Sequence, residues 1–182
     1  QTRERVIFIG IDKTQLRSDV RRYVEKFGEL PAELDLYPVE SHGPNRIPFV
    51  TSGEALVDLG EPDTSGDPSH QSFSRAKYMG KMQGQSEVRE DKPGPTIRAE
   101  HHGNIEFRRL SKQNGGTSST KLERRLSVRE CARIQTFPDD FRFVIPGKFS
   151  ASDGYRAIGN AVPPLLAWRL ADRLEQVWEK LF

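Results

Sequence analysis

Apolar residues form two different patterns near the start of the chain. Residues 6–11 are a continuous run of β-branched and aromatic side chains, broken only by Gly10. Such a run predicts a strand that is buried on both faces of a parallel or mixed sheet. Apolar side chains then recur at helical spacing over residues 16–27 and stop at Gly28. This spacing predicts a helix that a glycine caps at its C-terminus.

The predicted strand lacks evident neighbours, because no later segment offers several comparable apolar runs. A buried strand needs hydrogen-bonding partners, so we expect most of its sheet to come from residues outside this sequence. A second long helix is predicted after Pro163 and Pro164, where apolar residues recur on one face. These residues are Leu166, Leu170, Leu174, Val177, Trp178 and Leu181.

In the middle of the chain, apolar residues do not recur at a sustained spacing. Residues 30–120 are interrupted by turn-forming pairs such as Gly-Pro, Ser-Gly and Gly-Asn. This pattern predicts a small, irregular domain of short strands and turns, or partial disorder, with residues 58–72 and 113–120 as the most mobile parts. Ser127 and Glu130 have the spacing of a capping box, which predicts a short helix that begins there and ends before Pro138.

Composition narrows the possible functions. The chain has 182 residues, enough for one domain or two small ones, and its 30% charged content suggests a surface meant for a partner. A net charge of +2 argues against a uniformly basic, nonspecific nucleic-acid binder. Residues 75–112 nevertheless carry nine Lys or Arg against five acids. This excess suits phosphates, and a mixed-charge solvated loop is the alternative.

The numbers and positions of cysteine and histidine residues argue against a disulfide-bonded protein and against a metal site. A single cysteine, Cys131, cannot form an internal disulfide, and the four histidines are scattered, so no metal site is predicted. The sequence has neither a long apolar run nor the apolar core of a signal peptide. We therefore expect a cytoplasmic protein with no membrane segment and no bound metal.

Two blocks near the C-terminus carry the strongest signal. Residues 125–141 read RLSVRECARIQTFPDDF, and residues 155–164 read YRAIGNAVPP. They resemble motifs IX and X, the last two blocks of the cytosine-5 DNA methyltransferases. The chain is thereby similar to the C-terminal half of such an enzyme, and the resemblance implies a prokaryotic protein of the restriction-modification type.

The resemblance also implies a fold. It is an α/β fragment of a Rossmann-like methyltransferase domain, with one sheet strand plus helices and an inserted small, irregular, β-rich target-recognition domain. Residues 1–29 would form the strand and helix of motif VIII, and residues 30–122 the recognition domain. Residues 123–150 would form the motif IX helix and its connection, and residues 151–182 motif X and the C-terminal helix.

The first five residues, QTRER, resemble motif VIII, in which Gln-x-Arg-x-Arg precedes an apolar strand. In a strand, Gln1, Arg3 and Arg5 would lie on one side, and two neighbouring guanidinium groups suit an anionic partner. The resemblance implies that Arg3 and Arg5 lie in the active site and that Arg5 donates to O2 of the target cytosine. Without the family, the same residues are typical of a solvated strand end.

The second block implies a cofactor site. In the family a Gly-Asn turn lines the pocket for S-adenosylmethionine, which would place Asn160, Ala161 and Val162 at the cofactor. An asparagine side chain offers both a donor and an acceptor, and a tight turn exposes backbone amides. Taken alone, the pair is typical of an ordinary turn before a helix.

Residues 79–85 and 94–103 fall where the family has its recognition loops. Their glycines let the backbone approach a groove, and their polar side chains can read base edges. Thr96 and Ile97 resemble a Thr-Leu pair of the family, and Gln83 is the candidate for filling the space left by a flipped cytosine. The predicted DNA contacts are Lys81, Gln83, Gln85, Thr96, Arg98, Glu100, His101 and Arg133, with Arg129 as a further candidate for the DNA backbone. An ordinary Gly- and Gln-rich loop is the alternative.

The resemblance names a reaction whose nucleophile this sequence lacks. In the family a cysteine in a Pro-Cys motif attacks C6 of the flipped base, and C5 takes a methyl group from S-adenosylmethionine. No Pro-Cys pair occurs here, and Cys131 falls inside the predicted capped helix, where a cysteine is usually packed core.

We therefore expect a two-part enzyme that acts on double-stranded DNA. This chain would be inactive alone and would need a subunit or fragment that carries motifs I to VII. Two other functions fit the same residues: a stand-alone, sequence-specific DNA-binding module, or an inactive interaction subunit. The presence of Arg3, Arg5 and Asn160 argues against a decayed copy, because those groups have no other evident use.

Overall fold

A computed structural model describes residues 5–76, 84–99 and 105–182. The chain divides into two compact units, one formed by Pro48–Pro163 and the other by residues 5–47 with Pro164–Phe182. The described α-helices are α1 (Ser18–Phe27), α2 (Ser52–Leu56), α3 (Pro68–Gln71), α4 (Val128–Ile134), α5 (Ala151–Asn160) and α6 (Pro164–Leu181). Two short strands, β1 (Phe107–Arg109) and β2 (Arg124–Arg125), pair in antiparallel register. Single 3₁₀ turns lie at Lys13–Gln15, Ala32–Leu34, Pro62–Thr64 and Lys112–Asn114.

The smaller unit is built on α1 and α6, both of which the sequence predicts. Val20 and Val24 lie one turn apart on α1 and pack in one core with Val177 and Leu181 of α6. Gly28 adopts the left-handed conformation (φ 79°) and donates its N–H to the carbonyl of Val24 at 2.8 Å. The predicted glycine cap of α1 is therefore confirmed.

The strand predicted over residues 6–11 is not formed among the described residues. That segment pairs with no other strand, and the side chains of Val6 and Phe8 are 79% and 90% exposed. A lone extended segment cannot satisfy its backbone groups as a strand, because a strand needs a neighbour. Of the side chains in residues 6–11, Ile9 and Ile11 pack against the core of this unit.

The larger unit is organised around α4 and α5. Ser127 and Glu130 form the predicted capping box at the start of α4, and each accepts a hydrogen bond from the other's backbone N–H. A second capping box, Ser150 with Asp153, starts α5. The core between these helices contains Leu56, Leu126, Val128, Cys131, Phe143, Tyr155 and Ile158. The predicted α4 is confirmed.

Part of the segment expected to be mobile, residues 58–72, contributes to this packing. It forms a 3₁₀ turn and α3, and His70 is only 2% exposed. The His70 ring lies 2.7 Å from Oγ of Ser127 and 2.9 Å from the carbonyl oxygen of Gly60. Because Ser127 lies 57 residues further along the chain, local composition could not show that the segment is packed.

The described part of residues 30–122 is irregular, as expected, but it is not β-rich. Its one strand, β1, is accompanied by several short helical segments. Within the described ranges, no helix is long and apolar enough to cross a membrane. Among the same residues, no group of three or more His, Cys, Asp or Glu side chains could hold a metal ion.

Candidate functional site

Segment 124–135 runs through the larger unit and buries several charged or polar side chains. Arg124, Arg125, Arg129 and Glu130 are each at most 5% exposed, and Gln135 is fully buried. Buried charges are costly unless each has a partner, so their contacts define what the segment does.

Cys131 is fully buried in the core. Burial raises the pKa of its thiol well above the usual value, and the neighbouring Glu130 carboxylate raises it further. A nucleophilic cysteine needs an accessible thiolate, and both conditions fail here. The predicted structural role of Cys131 is confirmed.

Arg124 and Glu130 form a buried, bidentate ion pair that joins β2 to α4. The two nitrogen-oxygen distances are 2.8 and 3.1 Å. The same carboxylate accepts the N–H of Ser127 at 2.8 Å, so the helix cap and the ion pair share one group. This arrangement fixes the start of α4 relative to the strand that precedes it.

Arg125 links the residues that flank segments 77–83 and 100–104. Its guanidinium lies 4.0 Å from the ring centroid of Phe107, a cation–π contact. It donates hydrogen bonds to oxygen atoms of Ala76, Gly84, Gln85 and Ile105. One buried side chain therefore binds described residues that border segments 77–83 and 100–104.

Arg129 makes buried contacts within the larger unit. Its side chain is 2% exposed, and its Nε lies 2.6 Å from Oδ2 of Asp67. Its remaining nitrogens donate to the carbonyl oxygens of Pro138 and Phe141 at 3.2 and 2.9 Å. A phosphate could reach this guanidinium only if the surrounding chain moved apart.

Arg133 lies one helical turn further along α4 and is more accessible, with 16% of its side chain exposed. Its guanidinium is held between the carboxylates of Asp58 and Asp139. These hydrogen bonds raise the pKa of Arg133 and lower that of Asp139. A DNA phosphate at this position would compete with two carboxylates already in place.

Residues 159 and 160, expected to form a tight turn, are instead the last residues of α5. The backbone N–H of Ala161 continues the helical pattern by donating to the carbonyl of Ala157 at 3.1 Å. Ser150 and Asp153 carry the spacing that starts this helix, and that local signal outweighs the turn preference of Gly-Asn. The expectation of a turn with free backbone amides is wrong.

The end of α5 borders a groove of about 490 Å³ lined by aromatic and polar side chains. Its walls include Phe137, Phe149, Arg156, Asn160 and Ala161. The volume is typical of ligand pockets, and apolar rings with a few polar groups suit a nucleoside-like ligand. The groove contains two of the three residues predicted to contact the cofactor, Asn160 and Ala161.

The predicted site residues fall into three groups. Arg3, Lys81, Gln83, Glu100 and His101 lie outside the described residues. Arg5 is exposed and belongs to the smaller unit. The larger unit holds the rest: Gln85 is buried, Thr96, Arg98, Arg133 and Ala161 are half-buried, and Asn160 and Val162 are exposed.

Within the larger unit, one contact brings a predicted DNA-contact segment beside the predicted cofactor segment. An added Cβ atom at Gly159 would clash with the backbone of Arg98 and Ala99. Glycine is therefore required for the candidate recognition segment to lie against the end of α5. The roles assigned to all these residues remain predictions.

A comparison with protein families assigns the chain. Residues 1–176 match the family model of the C-5 cytosine-specific DNA methylases, which is nearly the full length of the sequence. The chain therefore belongs to the C-5 cytosine-specific DNA methylase family, as the C-terminal blocks indicate.

Several relatives are type II methyltransferases. M.BspRI of Lysinibacillus sphaericus is 30% identical over 186 residues, which cover 97% of this chain and 40% of that protein. M.FnuDI of Fusobacterium nucleatum is 54% identical over 55 residues, 30% of this chain and 15% of that protein. M.MthTI of Methanothermobacter thermautotrophicus is 55% identical over 58 residues, 32% of this chain and 17% of that protein. The chain thus spans less than half the length of each.

Gln135 and Arg125 bind distant segments in the structure, a role that the sequence does not predict. Both stand inside the recognised motif IX block, but long polar side chains are usually at the surface. Their partners lie 20 to 49 residues away along the chain. Only the folded structure shows those contacts.

Proposed function

We propose that this chain is the target-recognition part of a DNA (cytosine-5-)-methyltransferase and completes its cofactor pocket, while another part supplies the nucleophilic cysteine. That part carries motifs I to VII, either as a separate subunit or as another segment of the same polypeptide. The observation that carries the proposal is the full burial of Cys131, the only cysteine in residues 1–182. A thiol enclosed in the core cannot attack a base.

The proposed reaction takes place on double-stranded DNA with the target cytosine flipped out of the helix. S-adenosylmethionine supplies the methyl group for C5. In this chain, Asn160, Ala161 and Val162 form one wall of the cofactor site. The aromatic groove beside Asn160 supports that role.

Residues 30–122 act as the target-recognition domain, with DNA contacts at Lys81, Gln83, Gln85, Thr96, Arg98, Glu100 and His101. The hydrogen bonds of Arg125 support this assignment, because they tie the flanks of both candidate stretches to one point. Arg133 contacts the DNA backbone if phosphate displaces Asp58 or Asp139.

The part with motifs I to VII docks on the exposed apolar residues of the smaller unit. Val6 and Phe8 leave most of their surface in solvent, and residues 6–11 pair with no strand among the described residues, so a Rossmann-like sheet could accept them as a strand. In that position Arg3 and Arg5 stand at the start of the strand, where Arg5 donates to O2 of the flipped cytosine.

Reconstitution tests the proposal. The purified chain is mixed with the complementary part of the same enzyme, and transfer of labelled methyl groups from S-adenosylmethionine to DNA is measured. We expect activity only in the mixture. Cys131→Ala in this chain should retain activity, whereas Cys→Ser in the Pro-Cys motif of the other part should abolish it.

Three outcomes would contradict the proposal. The first is methyl transfer by this chain alone. The second is loss of activity in a folded Cys131→Ala variant. The third is specific DNA binding by the chain with no gain of methyl transfer in the mixture, which would favour a stand-alone DNA-binding module.

A further inference from the structure

We propose that Gln135 is a positioning residue for the cofactor site, because it holds the end of α5 that carries Asn160. This inference rests on the proposed function, in which Asn160, Ala161 and Val162 line the S-adenosylmethionine pocket.

The side-chain amide of Gln135 donates hydrogen bonds to backbone carbonyl groups at the C-terminus of α5. The last carbonyl groups of an α-helix are incompletely bonded within the helix, and here the Ile158 carbonyl accepts the N–H of Ala161 at 3.2 Å. The Nε2 of Gln135 donates to the carbonyl oxygens of Ile158 and Ala161, at 2.9 and 3.3 Å. These two carbonyls stand on either side of Asn160, so one buried amide fixes the backbone around the proposed cofactor contact.

The hydrogen bonds donated by the Gln135 amide nitrogen explain why a polar side chain is buried at this position. Gln135 is fully buried, and its Oε1 has no hydrogen-bond partner among the described residues. A buried acceptor without a partner is unfavourable, and leucine or methionine would fill a similar volume without it. The amide is therefore accounted for by the two carbonyls that it binds.

A second contact holds the same helix end. Gly159 lies directly against the backbone of Arg98 and Ala99, with no room for a side chain. Gln135, the C-cap residue of α4, and the backbone at Arg98 and Ala99 both contact the last turn of α5, so two elements restrain it. Loss of the Gln135 hydrogen bonds should loosen Asn160 without removing any proposed DNA contact.

The test measures ligand binding in the assembled methyltransferase, in which this chain is joined with the part that carries motifs I to VII. Binding of labelled S-adenosylmethionine is followed by equilibrium dialysis, DNA binding by fluorescence anisotropy, and folding by thermal denaturation. The variants are Gln135→Leu and the more flexible Gln135→Met. Ile134→Val, a core truncation on the same helix, is the control for lost stability.

We expect both Gln135 variants to weaken S-adenosylmethionine binding about fivefold to tenfold, as the loss of one or two net hydrogen bonds implies. DNA affinity should stay within about twofold, because the Gln135 side chain donates to Ile158 and Ala161, not to a proposed DNA contact, and the packing of Gly159 on Arg98 is left in place. Ile134→Val should lower thermal stability without changing cofactor affinity.

Gln135→Glu adds a pH signature that a packing role would not give. A protonated carboxyl can donate one hydrogen bond to the same carbonyls, and a carboxylate can donate none. Burial favours the protonated form of a carboxyl. Cofactor binding by this variant should therefore strengthen as pH falls, relative to the unsubstituted protein at the same pH.

The outcomes separate this inference from the function on which it rests. Cofactor affinity that is unchanged in Gln135→Leu and Gln135→Met, or that falls only as it does in Ile134→Val, would overturn the positioning role alone. If the unsubstituted assembly does not bind S-adenosylmethionine, both the proposed function and this inference are wrong.

Discussion

Replacing Arg129 by methionine should unfold the larger unit under conditions in which the same replacement at Arg133 leaves it folded. The Arg129 side chain is 2% exposed, pairs with Asp67 at 2.6 Å and binds two carbonyl oxygens. Removing one partner of a buried ion pair costs about 3–5 kcal/mol, and the 30% exposure of Asp67 favours the lower end. Since domains are stable by only about 5–15 kcal/mol, this loss is large.

Arg133→Met is the matched control on the same helix. Its partners Asp58 and Asp139 are 68% and 53% exposed, so water can replace the arginine, and the expected cost is about 0–1 kcal/mol. Urea unfolding followed by far-ultraviolet circular dichroism measures both variants. The two tryptophans, Trp168 and Trp178, lie in α6 and report on the smaller unit. A cost below about 1 kcal/mol for Arg129→Met, or equal costs for both variants, would refute the reasoning.

Three further predictions follow from single contacts. Cys131 should resist thiol reagents in the native protein and react once it is denatured, and rapid native labelling would contradict its burial. Gly159→Ala should lower the melting temperature, because its Cβ clashes with the backbone of Arg98; an unchanged melting temperature would argue against that contact. Arg133 lowers the pKa of Asp139, so their stabilisation is present above the unfolded pKa of about 4 and is lost as pH falls through the folded pKa. Arg133→Met should therefore reduce the loss of stability in acid, and an identical pH profile would exclude this pair as a cause.

Helix ends could be predicted where a capping residue, a glycine or a proline marks the end within a few residues. The Ser127 and Glu130 capping box, Gly28 and Pro164 each mark a helix end that the structure confirms. These signals work because a cap satisfies backbone groups within a few residues of itself. No distant partner is needed to interpret them.

The rest of the fold and of the candidate site could not be predicted, because it depends on contacts between residues far apart in the sequence. Arg125 and Gln135 are buried because carbonyl groups far along the chain surround them, and neither residue type indicates burial by itself. Residues 6–11 have the composition of a buried strand, but the described chain offers them no strand to pair with. The Gly-Asn pair favours a turn locally, but the helix that begins at the Ser150 capping box, nine residues earlier, continues through Asn160.

The central claim is that the nucleophile lies outside residues 1–182, and covalent trapping tests it most directly. The assembled methyltransferase is incubated with S-adenosylmethionine and DNA in which 5-fluorocytosine replaces cytosine. Fluorine at C5 prevents the final elimination, so the enzyme stays bound to the base, and mass mapping of the digest locates the adduct. We predict an adduct on the cysteine of a Pro-Cys motif in the other part and none on this chain. An adduct on Cys131 would contradict the account.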